Sequence, residues 1–209
     1  METLASEKQA LRRTLKERFV ALPADARQEQ ERLACGRFTV SAYFNCARAI
    51  MLYAPTPGEF DITPAILAAL GAGRTVCLPR VNWDLATMTP HLISAFPGGL
   101  VEGRHGILEP GPDTDAIDPS DLDLVVTPGV GFDSWGGRLG RGAGFYDRFL
   151  SGRSFVGLCV GVALEAQIVE RLPMREPGTC DVPDRRMDAV ITERRIILGI
   201  DRPRAGSAD

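Results

Sequence analysis

Apolar residues recur at Leu4, Leu11, Leu15 and Phe19 with Lys and Arg between them, close to the repeat of an α-helix. This pattern predicts a first amphipathic helix, broken by Pro23. A second helix is predicted from near Asp25 through the charged run Arg27 to Arg32, carried by Leu33, Arg37 and Phe38 towards Tyr43. The texture then changes. Ala49 to Tyr53 is a short apolar run that ends in Ala54-Pro55, the pattern of a buried strand. Asp61-Ile62-Thr63-Pro64 opens a helix, with Thr63 in the N-cap place and Pro64 at the first helical position, and Gly71 or Gly73 ends it.

Thr75 to Leu78 is the next predicted strand, closed by Pro79, and Asp123 to Thr127 is another, closed by Pro128-Gly129. Phe145 to Leu150 starts a helix, Phe155 to Val160 is a further strand, and Ala163 to Leu172 has a helical pattern. Ala189 to Thr192 and Arg195 to Leu198 form strands around a tight turn. Residues 97–121, rich in Gly, Pro and Asp, look like a long surface connection. Short apolar strands alternating with helices predict an α/β domain with a mostly parallel sheet over residues 1–200 and a flexible tail over 201–209. Strands that end in Pro or Gly put loops at their carboxyl ends, where such sheets bind ligands.

The 209 residues are enough to bury a full core, which disfavours a disordered chain or a disulfide scaffold. The net charge of −3 supplies no global attraction to nucleic acid or to an anionic membrane. Charged residues crowd the N-terminus and no apolar run approaches a membrane span, so the expected location is the cytoplasm. The five cysteines form no CxxC pair, and Cys77 and Cys159 sit in apolar runs as small core residues, a usage that fits a reducing compartment without a zinc site. With only His91 and His105 present, a multi-histidine metal centre or a histidine-dependent triad is disfavoured.

The chemistry concentrates in Gly136-Gly137-Arg138-Leu139-Gly140-Arg141-Gly142-Ala143-Gly144-Phe145-Tyr146-Asp147-Arg148. Alternating Gly140, Gly142 and Gly144 let backbone N–H groups converge on an anion. Arg138, Arg141 and Arg148 add forked cationic donors, and the helix that follows adds its N-terminal partial charge. Asp147 supplies a hard oxygen ligand of the kind a phosphate-bound Mg2+ takes. The segment is neither a Walker A motif nor GxGxxG. Its residue types suit a phosphate site; they also suit a surface turn with solvated arginines.

Pro128-Gly129-Val130-Gly131-Phe132-Asp133 followed by Gly137 to Asp147 resembles the signature of the 5-formyltetrahydrofolate cyclo-ligase family, whose enzymes are also called 5,10-methenyltetrahydrofolate synthetases. The resemblance spans most of the chain. Lys8-Gln9-Ala10-Leu11-Arg12 resembles the family's Lys-x-x-Leu-Arg element, and Gly58-Glu59-Phe60-Asp61 its acidic substrate-side motif. Leu78-Pro79-Arg80, Gly106 to Pro110, Gln167, Leu172-Pro173 and Asp184-Arg185-Arg186-Met187-Asp188 also fit. Ala143 and Phe145 depart mildly from the family's usual residues, and Pro183 stands where a His often precedes the closing Asp.

The resemblance implies a Rossmann-like three-layer fold of the type shared with sugar-phosphate isomerases and coenzyme A transferases. It implies ATP and Mg2+, and conversion of 5-formyltetrahydrofolate, including polyglutamylated forms, to 5,10-methenyltetrahydrofolate by phosphorylation of the formyl oxygen and attack by N10. It also implies roles. Lys8 and Arg12 would contact the nucleotide phosphates, with Arg12 also reaching the folate. Arg138, Gly140, Arg141, Gly142, Gly144, Phe145 and Tyr146 would wrap the triphosphate, with Arg138 and Asp147 carrying the catalysis. Asp147 and Asp184 would hold Mg2+, Glu59 would bind the pterin and Tyr146 would line the folate site. The chain is expected to act as a monomer with no nucleic-acid or membrane partner.

Each residue has a plainer reading. Lys8 and Arg12 share one helix face that is commonly solvated, Asp147 favours a helix start, Asp184 suits a turn and Tyr146 suits core packing. Asp61 fits a helix start better than a ligand, and Asp133 fits a brace for the glycine loop. Trp83 and Trp135 look like partly exposed loop aromatics, with Trp135, two residues after Asp133, the one of the two placed to border a pocket, and His105 looks like an exposed loop residue. The rival functions are a non-catalytic folate- or nucleotide-binding protein of the same fold and an enzyme acting on a sugar phosphate or coenzyme A ester. Retention of Glu59, Arg138 and Asp147 disfavours the first, and the Lys-x-x-Leu-Arg element with the arginine-glycine loop disfavours the second.

Overall fold

The computed structural model describes residues 3–152, 154–174 and 184–199; the tail over 201–209, Cys180 and Pro183 lie outside them. Helix α1 (Leu4–Val20) begins where the Thr3 hydroxyl accepts the Ser6 N–H, and it buries Lys8, Leu15 and Phe19 on one face. Helix α2 (Ala24–Thr39) follows Pro23 and stops short of the predicted Tyr43. Ser41 breaks the run: its hydroxyl donates to Phe38 O and accepts from Phe44 N, capping a separate helix α3 (Ala42–Cys46).

Strand β1 (Ala49–Met51) leads to α4 (Thr63–Gly71), then β2 (Thr75–Asn82) and β3 (Thr87–Ile93). Thr63 is the first helical residue of α4 rather than its cap; the Asp61 carboxylate accepts its N–H. β2 does not close at Pro79. The β1 partner ends at Cys77, so the missing Pro79 N–H interrupts no ladder on that side. On the other side Pro79 stands opposite Pro90, a pair in which neither residue has an N–H to give. The expected surface connection over 97–121 contains a hairpin, β4 (Leu100–Glu102) with β5 (Leu108–Pro110). Then come β6 (Leu124–Thr127), β7 (Gly131–Asp133), β8 (Arg138–Leu139), α5 (Phe145–Ser151) and β9 (Leu158–Val162). β9 starts later than predicted, and Phe155 packs into the core from the preceding loop. The helix expected over Ala163 to Leu172 is absent. A short 3-10 turn, Glu165–Gln167, leads into β10 (Ile168–Val169), whose β-branched residues pair with Phe132 and Asp133 of β7. β11 (Ala189–Ile191) and β12 (Ile196–Leu198) complete the order.

The main sheet runs β12-β11-β9-β6-β1-β2-β3. All neighbours from β11 to β2 pair in parallel, and β12 and β3 add antiparallel edges. Counted along the chain, the parallel strands lie in the order 2-1-3-4-5 of doubly wound sheets, so the direction of winding reverses between β1 and β6. Strict alternation sends Ile50, Leu78, Val126 and Val160 to a core with α2, α3 and α4, and Met51, Cys77, Val125 and Cys159 to a core with α5. The described residues therefore form the expected three-layer α/β arrangement. Beside it, Leu11 and Leu15 of α1 cluster with Val130, which precedes β7, and with Leu139 and Val169 of the small β10-β7-β8 sheet.

Candidate active site

A cavity of about 570 Å3 opens where the winding reverses. The loops that leave β1 (Tyr53 to Glu59) and β6 (Pro128 to Val130) form two of its walls, as the carboxyl-end rule for open sheets requires. The glycine-rich loop, α1, Gln167, Asp184, and His105 with Trp83 supply the rest of the polar lining. Lys8, Arg12, Glu59, Arg138, Gly140, Arg141, Gly142, Gly144, Phe145, Tyr146, Asp147 and Asp184 all border this one space.

Asp133 anchors the loop from below. Fully buried, its carboxylate accepts the N–H groups of Trp135 (2.9 Å), Gly137 (2.6 Å) and Leu172 (2.9 Å). A Cβ at Gly137 would lie 2.5 Å from that carboxylate. Beyond β8 the backbone reaches φ +111° at Gly142 and +72° at Gly144, a region that L side chains rarely adopt. Arg12 donates through Nε to Gly140 O (2.8 Å), tying α1 to the loop.

The polar lining is organised as ion pairs. Lys8 meets Asp184, with both side chains about nine-tenths buried. Arg138 Nη2 donates to Asp147 Oδ1 at 2.6 Å while Nη1 donates to Pro128 O at 3.1 Å. Arg141 Nε lies 2.9 Å from Glu59 Oε1. Arg148, grouped by sequence with the phosphate-binding arginines, is instead committed to backbone: it donates to Ala86 O and Ala143 O, both at 2.7 Å, and it does not line the cavity. The Tyr146 hydroxyl is buried with no hydrogen-bond partner in the described structure. Burial, with the charge of Glu59 adding to it and that of Arg138 opposing, raises its pKa above the usual phenol value, so it stays a neutral donor.

One wall is aromatic and was not legible in the sequence. Trp83, carried by the extension of β2 past Pro79, stands edge-on to Phe145 (5.1 Å between centroids) and to His105 (5.2 Å). Trp135 does not line the cavity. His105 is exposed, as expected, yet stands at the cavity wall. Lys16 and Thr56 were also missed. Lys16 is one helical turn beyond Arg12, a spacing the sequence does carry; Thr56 has no such signal.

A sequence model of the 5-formyltetrahydrofolate cyclo-ligase family matches residues 4–193. The chain belongs to the 5-formyltetrahydrofolate cyclo-ligase family. The 5-formyltetrahydrofolate cyclo-ligase of Escherichia coli K12 is 33% identical over 184 residues, covering 87% of this chain and 98% of its own. The mouse enzyme of the same name is 27% identical over 203 residues, covering 91% and 96%. The NMR structure of Aquifex aeolicus 5,10-methenyltetrahydrofolate synthetase superimposes with a TM-score of 0.77 at 29% identity, covering 97% of this chain and 99% of that one.

The cyclo-ligase resemblance implies ATP and Mg2+, and the cavity can be tested against both. Two buried donors without partners among the described residues, Tyr146 Oη and Arg138 Nε, border a space ringed by Lys8, Arg12, Arg138 and Arg141, which suits a polyanion. A Cβ at Gly140 would come within 2.9 Å of Arg138 Nη1, so glycine there leaves the guanidinium its place. Among the described residues no cluster of three or more His, Cys, Asp or Glu could hold a metal by itself. Asp147 and Asp184 both border the cavity, and carboxylates are the donor type of which Mg2+ commonly takes one or two, completing its shell with phosphate oxygens and water.

Proposed function

We propose that this chain catalyses the ATP- and Mg2+-dependent cyclisation of 5-formyltetrahydrofolate to 5,10-methenyltetrahydrofolate, releasing ADP and phosphate, as a monomer in the cytoplasm. The observation that carries the reading is the convergence of the arginine-glycine loop, the Lys8–Arg12 face and the carboxylates Glu59, Asp147 and Asp184 on one cavity at the sheet's winding reversal. A formamide oxygen is a poor leaving group. In the proposed reaction it takes the γ-phosphoryl group, N10 of the same folate attacks the activated carbon, and the oxygen departs as phosphate. No protein nucleophile is needed, so the side chains act by positioning and by charge stabilisation.

Lys8, Arg12, Arg138 and Arg141 hold the phosphates, and the backbone of Gly140 to Gly144 follows the triphosphate. Asp147 and Asp184 would hold Mg2+, which would neutralise charge on the transferring group. Lys8 and Arg138 are paired with these two carboxylates; with ATP bound the cations would serve phosphate and the carboxylates would hold the metal. Arg12, on the helix wall, also reaches the folate. Glu59 accepts N–H groups of the pterin, and Tyr146 donates its free hydroxyl to the same ligand. The aromatic wall at Trp83 supports a substrate of this class, since flat heteroaromatic rings pack well on such faces.

The test mixes purified protein, 5-formyltetrahydrofolate, Mg2+ and ATP and follows the near-ultraviolet band of the methenyl product. A rise that needs both ATP and Mg2+, and that falls at least about a hundredfold in Asp147→Ala, supports the reading. A folded protein that binds ATP and gives no rise overturns it and favours a folate- or nucleotide-binding role.

A further inference from the structure

Thr56 has no role in the family resemblance, yet it stands at the junction of the two ligand-binding halves. Thr56-Pro57-Gly58-Glu59 is a tight turn closed by Glu59 N–H donating to Thr56 O at 2.9 Å. Proline at its second position and Gly58 at φ +82° at its third are what a type II turn requires. The turn brings the Glu59 side chain back over its own first residue. Glu59 Oε2 accepts both the Thr56 N–H (2.9 Å) and the Thr56 hydroxyl (2.8 Å). The same hydroxyl accepts from Arg141 Nη2 at 2.7 Å, while Arg141 Nε lies 2.9 Å from Glu59 Oε1. Thr56 thus contacts the candidate pterin carboxylate and a candidate phosphate-binding arginine through one oxygen.

We propose that Thr56 is a positioning residue: its hydroxyl fixes the Glu59 carboxylate for folate, and until nucleotide binds the same hydroxyl also accepts from Arg141 of the nucleotide loop. The inference rests on the functional reading above. The two carboxylate oxygens have different partners. Oε2 is held within the turn, by a backbone N–H and by a hydroxyl on a β-branched residue whose χ1 freedom is small. Oε1 is held by Arg141, whose side chain is 46% exposed against 16% for Glu59. When Arg141 turns to phosphate, Oε1 is released for the pterin while Thr56 keeps the carboxylate from rotating. Nucleotide binding therefore prepares the folate acceptor, and Thr56 sets how accurately.

Thr56→Val keeps the branched shape and deletes the hydroxyl; Thr56→Ser keeps the hydroxyl. In Thr56→Val the KM for 5-formyltetrahydrofolate, and its Kd by calorimetry in the presence of Mg2+ and a non-hydrolysable ATP analogue, should rise about tenfold. The kcat at saturation and the KM for ATP should stay within about twofold, and Thr56→Ser should restore folate binding. Unchanged folate binding in Thr56→Val overturns the proposal, as does a Thr56→Ser variant no better than Thr56→Val. A wild-type chain with neither turnover nor folate binding overturns the functional reading and this proposal with it. A folate-active wild type beside an unaltered Thr56→Val overturns this proposal alone.

Discussion

Asp133 shows how one buried charge shapes the site without lining it. Three backbone N–H groups point at its carboxylate, from the β7–β8 turn and from Leu172. Hydrogen bonds to a charged acceptor are among the stronger ones, and a buried N–H left without a partner costs its full desolvation. Asp133→Ala should therefore lower stability by roughly 3–5 kcal/mol, read as a shift in the urea midpoint at unchanged slope. A loss below about 1 kcal/mol would show that water or a relaxed loop replaces the carboxylate. At this scale much was legible: the bracing role of Asp133 and the clustering of Arg138, Arg141 and Asp147 can be read from one short segment. What could not be read is who pairs with whom. Lys8 and Asp184 lie 176 positions apart, so their ion pair depends on tertiary geometry that no local pattern encodes.

Helix α1 depends for its position on one close approach. A Cβ on Gly131 would lie 2.3 Å from Leu15 Cδ1 and 3.0 Å from Gln167 O, so any larger residue there must displace the buried Leu15 side chain or the strand beside it. The buried Gln167 amide, donating to Gly129 O at 3.2 Å, stiffens the same seat. Gly131→Ala should push α1 outward and carry Lys8 and Arg12 with it. The expected result is a roughly tenfold weaker Mg–ATP affinity by calorimetry, with a stability loss of about 1–3 kcal/mol for the overpacked contact. Leu15→Ala in the same chain should recover part of the affinity by making room. Unaltered nucleotide affinity in Gly131→Ala would mean that α1 does not set the phosphate site. The elements themselves were unequally legible. Strands with continuous apolar runs, and helices marked by an apolar repeat or by a proline at the first turn, could be predicted to within a few positions. The 3-10 turn and β10 could not, because an apolar stretch from Ala163 to Leu172 suits a helix until β7 offers Ile168 and Val169 a partner. The same holds for β2 past Pro79, whose continuation carries Trp83 to the cavity.

At the scale of the whole molecule, the winding reversal between β1 and β6 places the cavity, and both layers packed on the sheet must hold for its walls to stay in register. The cysteines report on those layers separately. Cys35 lies in the helical layer with α2, whereas Cys77 and Cys159 lie in the layer shared with α5. Burial is the leading cause that pushes each of these thiols up to about 12, while Cys46 is exposed. At pH 8 a thiol at about 12 is ionised on the order of once in 10,000, and the thiolate is the reactive form, so folded protein should protect all three twice over, by access and by charge. Labelling with a thiol reagent at pH 8 in rising urea, read by mass spectrometry of the separate peptides, should leave Cys35, Cys77 and Cys159 unmodified below the transition. All three should then become reactive at one midpoint, because parallel strands that alternate residues between the two cores cannot open one layer without disturbing the other. Earlier labelling of Cys35 alone would show that the helical layer opens as its own unit, and that the β1 wall of the cavity, with Thr56 and Glu59 on it, is less firmly held than the glycine-loop wall it faces.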